Sequence, residues 1–242
     1  MALIPLGQST IMARRRKPRV LFQDQGGKLD PAKQLLKEAV VWLQPSGIED
    51  TAGNVTAWRN SGTLGSAGDL TEVIGTPTLD SLNGLPAVLF NDIADQMRTA
   101  SGVSIQKPLT ALCSFEVNQE GASGSYLFSS HTLSGSRADV YKLGNALMSS
   151  GSNTNTGVSL SLSKPSACVA VFNPSGSKYY SDEGENESVD AGTQANFDAM
   201  SLGNIYGTSI QRSVLGVIRE YGLMPREVTK TEADILLAYL MR

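Results

Sequence analysis

The chain has 242 residues, of which 40% are hydrophobic and 18% are charged. This composition excludes a wholly disordered chain, and no apolar run approaches the length of a transmembrane helix. The net charge of −3 is unevenly distributed: five of the 20 basic residues and no acid lie in residues 1–19, so the remainder sets 15 basic residues against 23 acids. The basic residues of this leader are Arg14, Arg15, Arg16, Lys17 and Arg19.

The leader and a short helix come first along the chain. Residues 1 to about 28 are mainly polar and basic, and Pro5 and Pro18 disfavour a helix. This segment is therefore predicted to be an extended arm. Asp30 as N-cap and Pro31 at the first helical position then predict a helix that continues to Glu38. The arm is either a solvated tail or a segment that docks on an acidic partner surface or on nucleic acid.

Short apolar segments separated by turn residues fill most of the remaining chain, which is typical of an all-β protein. Alternation is strict in residues 158–163, and residues 168–172 are continuously apolar, as in a central strand. The predicted strands are residues 40–43, 55–58, 71–74, 85–90, 109–117, 125–129, 139–143, 158–163, 168–172, 178–181, 201–206 and 214–221.

The C-terminal segment changes to a helical pattern. Thr229 or Thr231 can cap a helix whose apolar stripe consists of Ile235, Leu236, Tyr239 and Leu240. The sequence thus predicts two parts: an extended arm with a short helix in residues 1–38, and one β domain in residues 39–242.

Few residues are suited to metal or nucleophilic chemistry. Cys113 and Cys168 lie in apolar runs and are interpreted as small core residues, and they make no disulfide framework or metal-ligand spacing. His131 lies in a polar segment interpreted as a surface turn. The N-terminus has no secretory signal pattern, so we expect a chain that stays in the cytosol or leaves by another route. Translation can start at Met1 or at Met12.

Several segments, taken in order, resemble the concanavalin A-like, laminin-G-type jelly rolls. They are Trp42-Leu43 before a polar turn, residues 55–62 with Trp58 and Ser61-Gly62, the stretch Asn83-Gly84-Leu85-Pro86-Ala87-Val88-Leu89-Phe90-Asn91, the hairpin of residues 168–180, and residues 218–223 leading into the last helix. The resemblance implies a sandwich of two antiparallel sheets with a C-terminal helix. Members of this family often have an acidic residue at the positions of Gln44 and Asn91. We therefore carry neither a calcium site nor a sugar site of the family over to this chain.

Two groups of residues are candidates for contact with a glycan or a cation. Tyr179 and Tyr180 could stack on a sugar, or form a half-buried pair. Glu183 and Glu185, with Glu187, have the spacing of residues on one strand face, as in glycosidases with paired carboxylates. Gly184 and Asn186 between them favour an acidic hairpin tip or a solvated loop instead. Trp42 and Trp58 could form a sugar platform but are interpreted as core residues.

The resemblance also suggests a function, since such modules occur in adhesins, in ectoenzymes and in virion proteins of tailed phages. We expect a non-enzymatic structural protein of a phage particle, such as a capsid decoration, head-fibre or tail-associated subunit. Its arm would bind other virion proteins, and it would assemble in the host cytoplasm as a homo-oligomer or part of a larger assembly, without a membrane. A lectin-like carbohydrate-binding module is the alternative, ahead of a glycoside hydrolase. No cofactor is expected; calcium is the one cation considered.

Overall fold

A computed structural model describes residues 30–100, 103–106, 108–119, 125–129, 139–143, 146–151, 154–159, 161–173, 176–188, 200–204 and 213–242. It confirms the all-β sandwich with a C-terminal helix. The elements are, in order, α1 (Pro31–Leu35), a 3₁₀ turn (Leu36–Glu38), β1 (Val41–Thr51), β2 (Asn54–Asn60), a 3₁₀ turn (Gly65–Gly68), β3 (Leu70–Ile74), β4 (Thr78–Leu82), β5 (Leu85–Phe90), β6 (Gln96–Thr99), β7 (Leu109–Gln119), β8 (Ser125–Ser129), β9 (Asp139–Leu143), β10 (Ala146–Gly151), β11 (Thr154–Ser159), β12 (Ser166–Phe172), β13 (Ser177–Ser181), β14 (Gly184–Ser188), β15 (Ser201–Leu202), β16 (Leu215–Met224) and α2 (Lys230–Leu240).

The strands form one continuous antiparallel hydrogen-bonded path that folds over itself. Its order is β11-β10-β9-β8-β15-β6-β3-β2-β4-β5-β16-β7-β12-β13-β14, and β1 pairs with both β16 and β2. The two ends of the path, β11 and β14, lie next to each other. The interior between the layers holds the larger apolar cluster, which includes Trp58, Phe90, Phe115, Phe128 and Tyr221. This arrangement is a jelly-roll-like sandwich.

Strand β12 is buried on both faces, which explains its continuous apolar sequence. Cys168, Ala170 and Phe172 point into the sandwich interior. The alternate residues Val169 and Val171 point the other way, into a second apolar cluster beneath the helices. The prediction of a central strand here is confirmed.

The helices cover the outer face of this part of the sheet. Ala32 and Leu36 pack in the second cluster together with Ala233, Leu236 and Leu240 of α2. Leu236 and Leu240 belong to the predicted apolar stripe, whereas Ile235 and Tyr239 lie at its half-buried edges. The short helix after Asp30 is therefore packed with the sandwich. The basic residues predicted to anchor the arm, Arg14, Arg15, Arg16, Lys17 and Arg19, lie outside the described residues.

A β-bulge in β16 directs two consecutive charged residues towards α2. The register with β7 shifts between Ile218 and Glu220, so Arg219 and Glu220 both lie on the helix side of the strand. The guanidinium of Arg219 donates hydrogen bonds to the carbonyl oxygens of Leu240 and Arg242. The carboxylate of Glu220 accepts one from the hydroxyl of Tyr239 at 3.0 Å. The bulge thereby fixes the last turn of the helix to the sheet.

Several predicted boundaries are corrected by strand pairing. Strand β1 continues past Pro45 and Gly47 with an irregular register, instead of ending at a turn. Residues 158–163 do not form one strand: β11 ends at Ser159, and Ser163 has a positive φ of 53° in a turn. Strands β4, β6, β10 and β14 were not predicted, because more than half of the residues in each are polar or small. Asn83 and Gly84 form the turn between β4 and β5, with the positive φ values of a two-residue hairpin.

Candidate functional site

Three of the four predicted contact residues line one cleft. It lies where the turn between β13 and β14 faces the first turns of α2, and it has a volume of about 370 Å³. We call it the acidic cleft and define it by its lining residues: Tyr180, Ser181, Asp182, Glu183, Gly184, Glu185, Lys230, Asp234 and Leu237. The register of the hairpin pairs Tyr180 with Glu185 and Ser181 with Gly184, which leaves Asp182 and Glu183 at the turn.

Lys230 lies in the cleft and connects α2 to the hairpin. Its ammonium nitrogen is 2.6 Å from a carboxylate oxygen of Glu185 and 3.4 Å from one of Asp234, four residues along the helix. The same nitrogen lies 5.7 Å from the centroid of the Tyr180 ring. These contacts raise the pKa of Lys230, chiefly through the hydrogen bond to Glu185. All three charged side chains remain more than half exposed.

A second lysine holds the other two carboxylates. The ammonium nitrogen of Lys164 is 2.9 Å from Glu183 and 3.5 Å from Asp182. The hydrogen bond from Lys164 lowers the pKa of Glu183. Asp182 also accepts a hydrogen bond from the backbone N–H of Ala167 at 3.0 Å. The turn is therefore fixed from β12 and from the segment that precedes it.

The two tyrosines are buried more deeply than either predicted alternative, the sugar-stacking pair or the half-buried pair. Tyr179 is completely buried in the interior cluster, and Tyr180 is 5% exposed in the cluster under the helices. The two rings point to opposite faces of β13, as successive residues of a strand do, and both are buried because the strand is covered on both sides. Neither offers an open face for stacking on a sugar, and only part of Tyr180 reaches the wall of the acidic cleft.

Residues 182–187 contain the expected acidic hairpin tip, but the tip is shorter than predicted. Asp182 and Glu183 form the turn, but Gly184 and Asn186 belong to strand β14 because they pair with β13. Lys164, Lys230 and Asp234 were not predicted as site residues. They come from other parts of the chain, and no local pattern marks them.

The tryptophans have structural roles in the described fold. Trp58 is fully buried, and its indole N–H donates to the carbonyl oxygen of Gln44 at 2.8 Å. Trp42 is half-buried against the cluster under the helices. The core interpretation is therefore confirmed for Trp58, and Trp42 packs at the edge of the second cluster.

Polar residues in residues 55–62, one of the segments that resemble the jelly-roll family, also stabilise the fold. The side-chain oxygen of Asn60 accepts from the backbone N–H groups of Trp42 and Gly62 at 2.7 and 2.8 Å. A Cβ at Gly62 would lie 2.5 Å from the carbonyl oxygen of Val40, so no larger residue fits without movement. Asn60 and Gly62 thus hold the end of β2 against β1.

The cysteines are buried and free, as expected for core residues. Within the described ranges, no group of three or more His, Cys, Asp or Glu side chains is placed to hold a metal ion. His131 lies outside those ranges. No helix in the described part of the chain is long and apolar enough to cross a membrane.

Solved structures with this fold include carbohydrate-active proteins. A GH54 α-L-arabinofuranosidase aligns with a TM-score of 0.60 at 11% identity, over 85% of this chain and 59% of that one. Domain 4 of a GH43 extracellular arabinanase from Geobacillus stearothermophilus, in complex with arabinotriose, aligns with a TM-score of 0.51 at 15% identity, over 69% and 82%. A Trypanosoma rangeli sialidase aligns with a TM-score of 0.52 at 12% identity, over 84% and 33%.

The chain therefore spans about a third of the sialidase and 59% of the arabinofuranosidase. No protein-family model matches the chain, and no curated protein matches its sequence. At these identities the likeness shows the fold alone: a lectin-like β-sandwich of the jelly-roll type.

Proposed function

We propose that the chain is a non-enzymatic recognition and display protein of a tailed-phage particle. In this proposal the sandwich binds a glycan through the acidic cleft, and the basic arm attaches it to another virion protein. The observation that carries the recognition role is the convergence of Tyr180, Glu183 and Glu185 with Lys230 and Asp234 in one cleft.

The chemistry of the cleft suits sugar hydroxyl groups. The Glu185 and Asp234 carboxylates are acceptors, the Lys230 ammonium is a donor, and all three side chains are more than half exposed. Their mutual ion pairs hold them in one arrangement, which lowers the entropy lost on binding. Leu237 and part of Tyr180 add an apolar wall. The arabinanase domain, whose fold is similar, was solved with arabinotriose.

The electrostatics of the cleft support binding and not hydrolysis. A glycosidase general acid needs a raised pKa so that it is protonated when it meets the substrate. Lys164 instead lowers the pKa of Glu183. Glu185 is held in an ion pair with Lys230. The lowered pKa of Glu183 therefore suits a hydrogen-bond acceptor and not a general acid.

The display role is supported by the charge of the arm and by the resemblance to jelly rolls found in phage particles. Five basic residues and no acid lie in residues 1–19, ahead of an acidic remainder. Such a segment is attracted to an acidic protein surface or to nucleic acid. None of the solved structures described above is viral. A carbohydrate-binding module unconnected with a particle is the alternative, and it would use the same cleft.

A glycan array tests the recognition role. Wild type should bind a discrete set of glycans, and Glu185→Gln or Asp234→Asn should weaken that binding at least about tenfold by removing a charged acceptor. Glu49→Gln is the matched control, because Glu49 is a similarly exposed glutamate in an ion pair with Arg59 outside the cleft. An array without hits, with and without calcium, or equal binding by all variants, would contradict the role.

Neutralising the arm tests the display role separately. The full-length chain with Arg14, Arg15, Arg16, Lys17 and Arg19 changed to Gln should lose incorporation into particles while keeping its glycan binding. Lys37→Gln, at an exposed lysine of the described fold, should incorporate as wild type does. Normal incorporation of the neutralised chain would contradict anchoring through the arm and leave the lectin-like alternative.

A further inference from the structure

Cys113 of β7 and Cys168 of β12 occupy directly opposed positions on neighbouring antiparallel strands. Both side chains belong to the interior cluster, and both thiols are free. We propose that this pair is a latent disulfide site, which closes when the chain folds in the presence of a small-molecule disulfide and stays open when it folds under reducing conditions.

The strand register meets the geometric requirement of the bond. Opposed residues in an antiparallel pair have Cα atoms about 4.5–5.5 Å apart. This lies within the range of about 4.4–6.8 Å over which disulfides form. The continuous register from Ser166 with Phe115 to Phe172 with Leu109 contains no bulge. A bond therefore needs side-chain rotation and no displacement of either strand.

The chemistry is a thiol–disulfide exchange in two steps, with oxidised glutathione as the oxidant. The thiolate of one cysteine attacks a glutathione sulfur and releases one reduced glutathione. The second thiolate then attacks the protein sulfur of this mixed disulfide and releases the other. Two protein thiols are oxidised and one glutathione disulfide is reduced, so the electrons balance.

Burial controls when this exchange can occur. It raises the pKa of Cys113 and raises that of Cys168 to about 12. The thiolate is the reactive form, so both thiols are protected once the sandwich has formed. The bond should therefore close during folding or after transient opening, and the native reduced protein should react slowly. The redox state of the pair would record the conditions under which the chain folded.

The bond would stabilise the centre of the sandwich. It would join β7 to β12 and enclose residues 114–167, so the unfolded chain would lose much of its conformational freedom. For a chain of this size the expected rise in Tm is on the order of 5–10 °C.

Refolding in two buffers tests the proposal. Wild type refolded in a glutathione redox buffer should lose the mass of two hydrogen atoms, resist alkylation after denaturation and melt at a higher temperature than wild type refolded in dithiothreitol. Oxidised glutathione added to native reduced protein should act at least about tenfold more slowly than during refolding. The variants Cys113→Ala and Cys168→Ala should show no difference in Tm between the two buffers.

If a variant fails to fold, the measurements on the wild-type protein are sufficient to test the proposal. Two alkylatable thiols after oxidative refolding, a stable glutathione adduct or a disulfide-linked dimer would each overturn the proposal, since each means that the two sulfurs do not meet within one chain. Rapid oxidation of the native protein would overturn the inference that closure depends on folding.

Discussion

The carboxylate of Glu220 accepts a hydrogen bond from the indole N–H of Trp42 at 2.6 Å, between β16 and β1. Glu220 is 3% exposed, and its other described partner is the hydroxyl of Tyr239. A buried carboxylate is stabilised by such donors but loses its hydration. Here burial is the larger effect, so the pKa of Glu220 is raised above its usual value.

This raised pKa predicts the direction of a pH dependence. Because the folded state holds the Glu220 proton more tightly than the unfolded state, the stabilisation is complete below the unfolded pKa of about 4.3 and is lost as pH rises through the folded pKa. The free energy of unfolding of wild type minus that of Glu220→Gln should therefore fall as the pH rises above about 4, as measured by urea denaturation.

An exposed glutamate provides a control of opposite sign. The hydrogen bond from Arg59 lowers the pKa of Glu49. Its contribution is present above the unfolded pKa and is lost as pH falls, so the difference between wild type and Glu49→Gln should increase with pH. A flat or increasing difference for Glu220→Gln would show that burial does not dominate at this carboxylate.

The capping box of α2 predicts that Thr229, and not Thr231, stabilises the fold. The Thr229 hydroxyl accepts from the backbone N–H of Glu232 at 3.3 Å, and the Glu232 carboxylate accepts from the backbone N–H of Thr229 at 2.8 Å. Thr229→Ala should destabilise the fold by about 1 kcal/mol in urea denaturation. Thr231→Ala, at an exposed position inside the helix, should have little effect. Equal effects of the two substitutions would argue against the cap.

A conservative substitution of Asp95 should lower the free energy of unfolding more than loss of the helix cap does. Its fully buried carboxylate accepts from the backbone N–H groups of Asn91, Asp92 and Thr76 at 2.8–3.0 Å. Asp95→Asn would direct an amide N–H₂ towards one of these donors, so we expect a loss of about 1–3 kcal/mol in the free energy of unfolding. Asp80→Asn, at an exposed strand position, should change it by less than about 0.5 kcal/mol. Similar losses for both would contradict this role.

The sequence predicted the fold best where a local pattern of apolar residues determines which residues are buried. The continuous apolar run of β12 indicated a central strand, and the structure covers this strand on both faces. Strand β14 was missed because Gly184 and Asn186 have turn propensities, which pairing with β13 overrides. The bulge at Arg219 was also unpredictable, since it depends on the register with β7.

The candidate site was predictable only in part, for a similar reason. Tyr180, Glu183 and Glu185 are close in the sequence, so a local pattern could select them. Lys230 reaches the cleft from α2, and Lys164, in the segment before β12, forms ion pairs with two carboxylates of its lining. Only tertiary structure brings these lysines to the carboxylates and forms the ion pairs between them.

The outer face of β12 has a consequence for synthesis on the ribosome. Val169 and Val171 are covered by a cluster that includes Leu236 and Leu240, about 65–70 residues further along the chain. Until the last helix has left the exit tunnel, this strand presents an apolar face to its surroundings. We therefore expect nascent chains paused before residue 230 to bind holding chaperones, and those released after residue 240 to fold free of them.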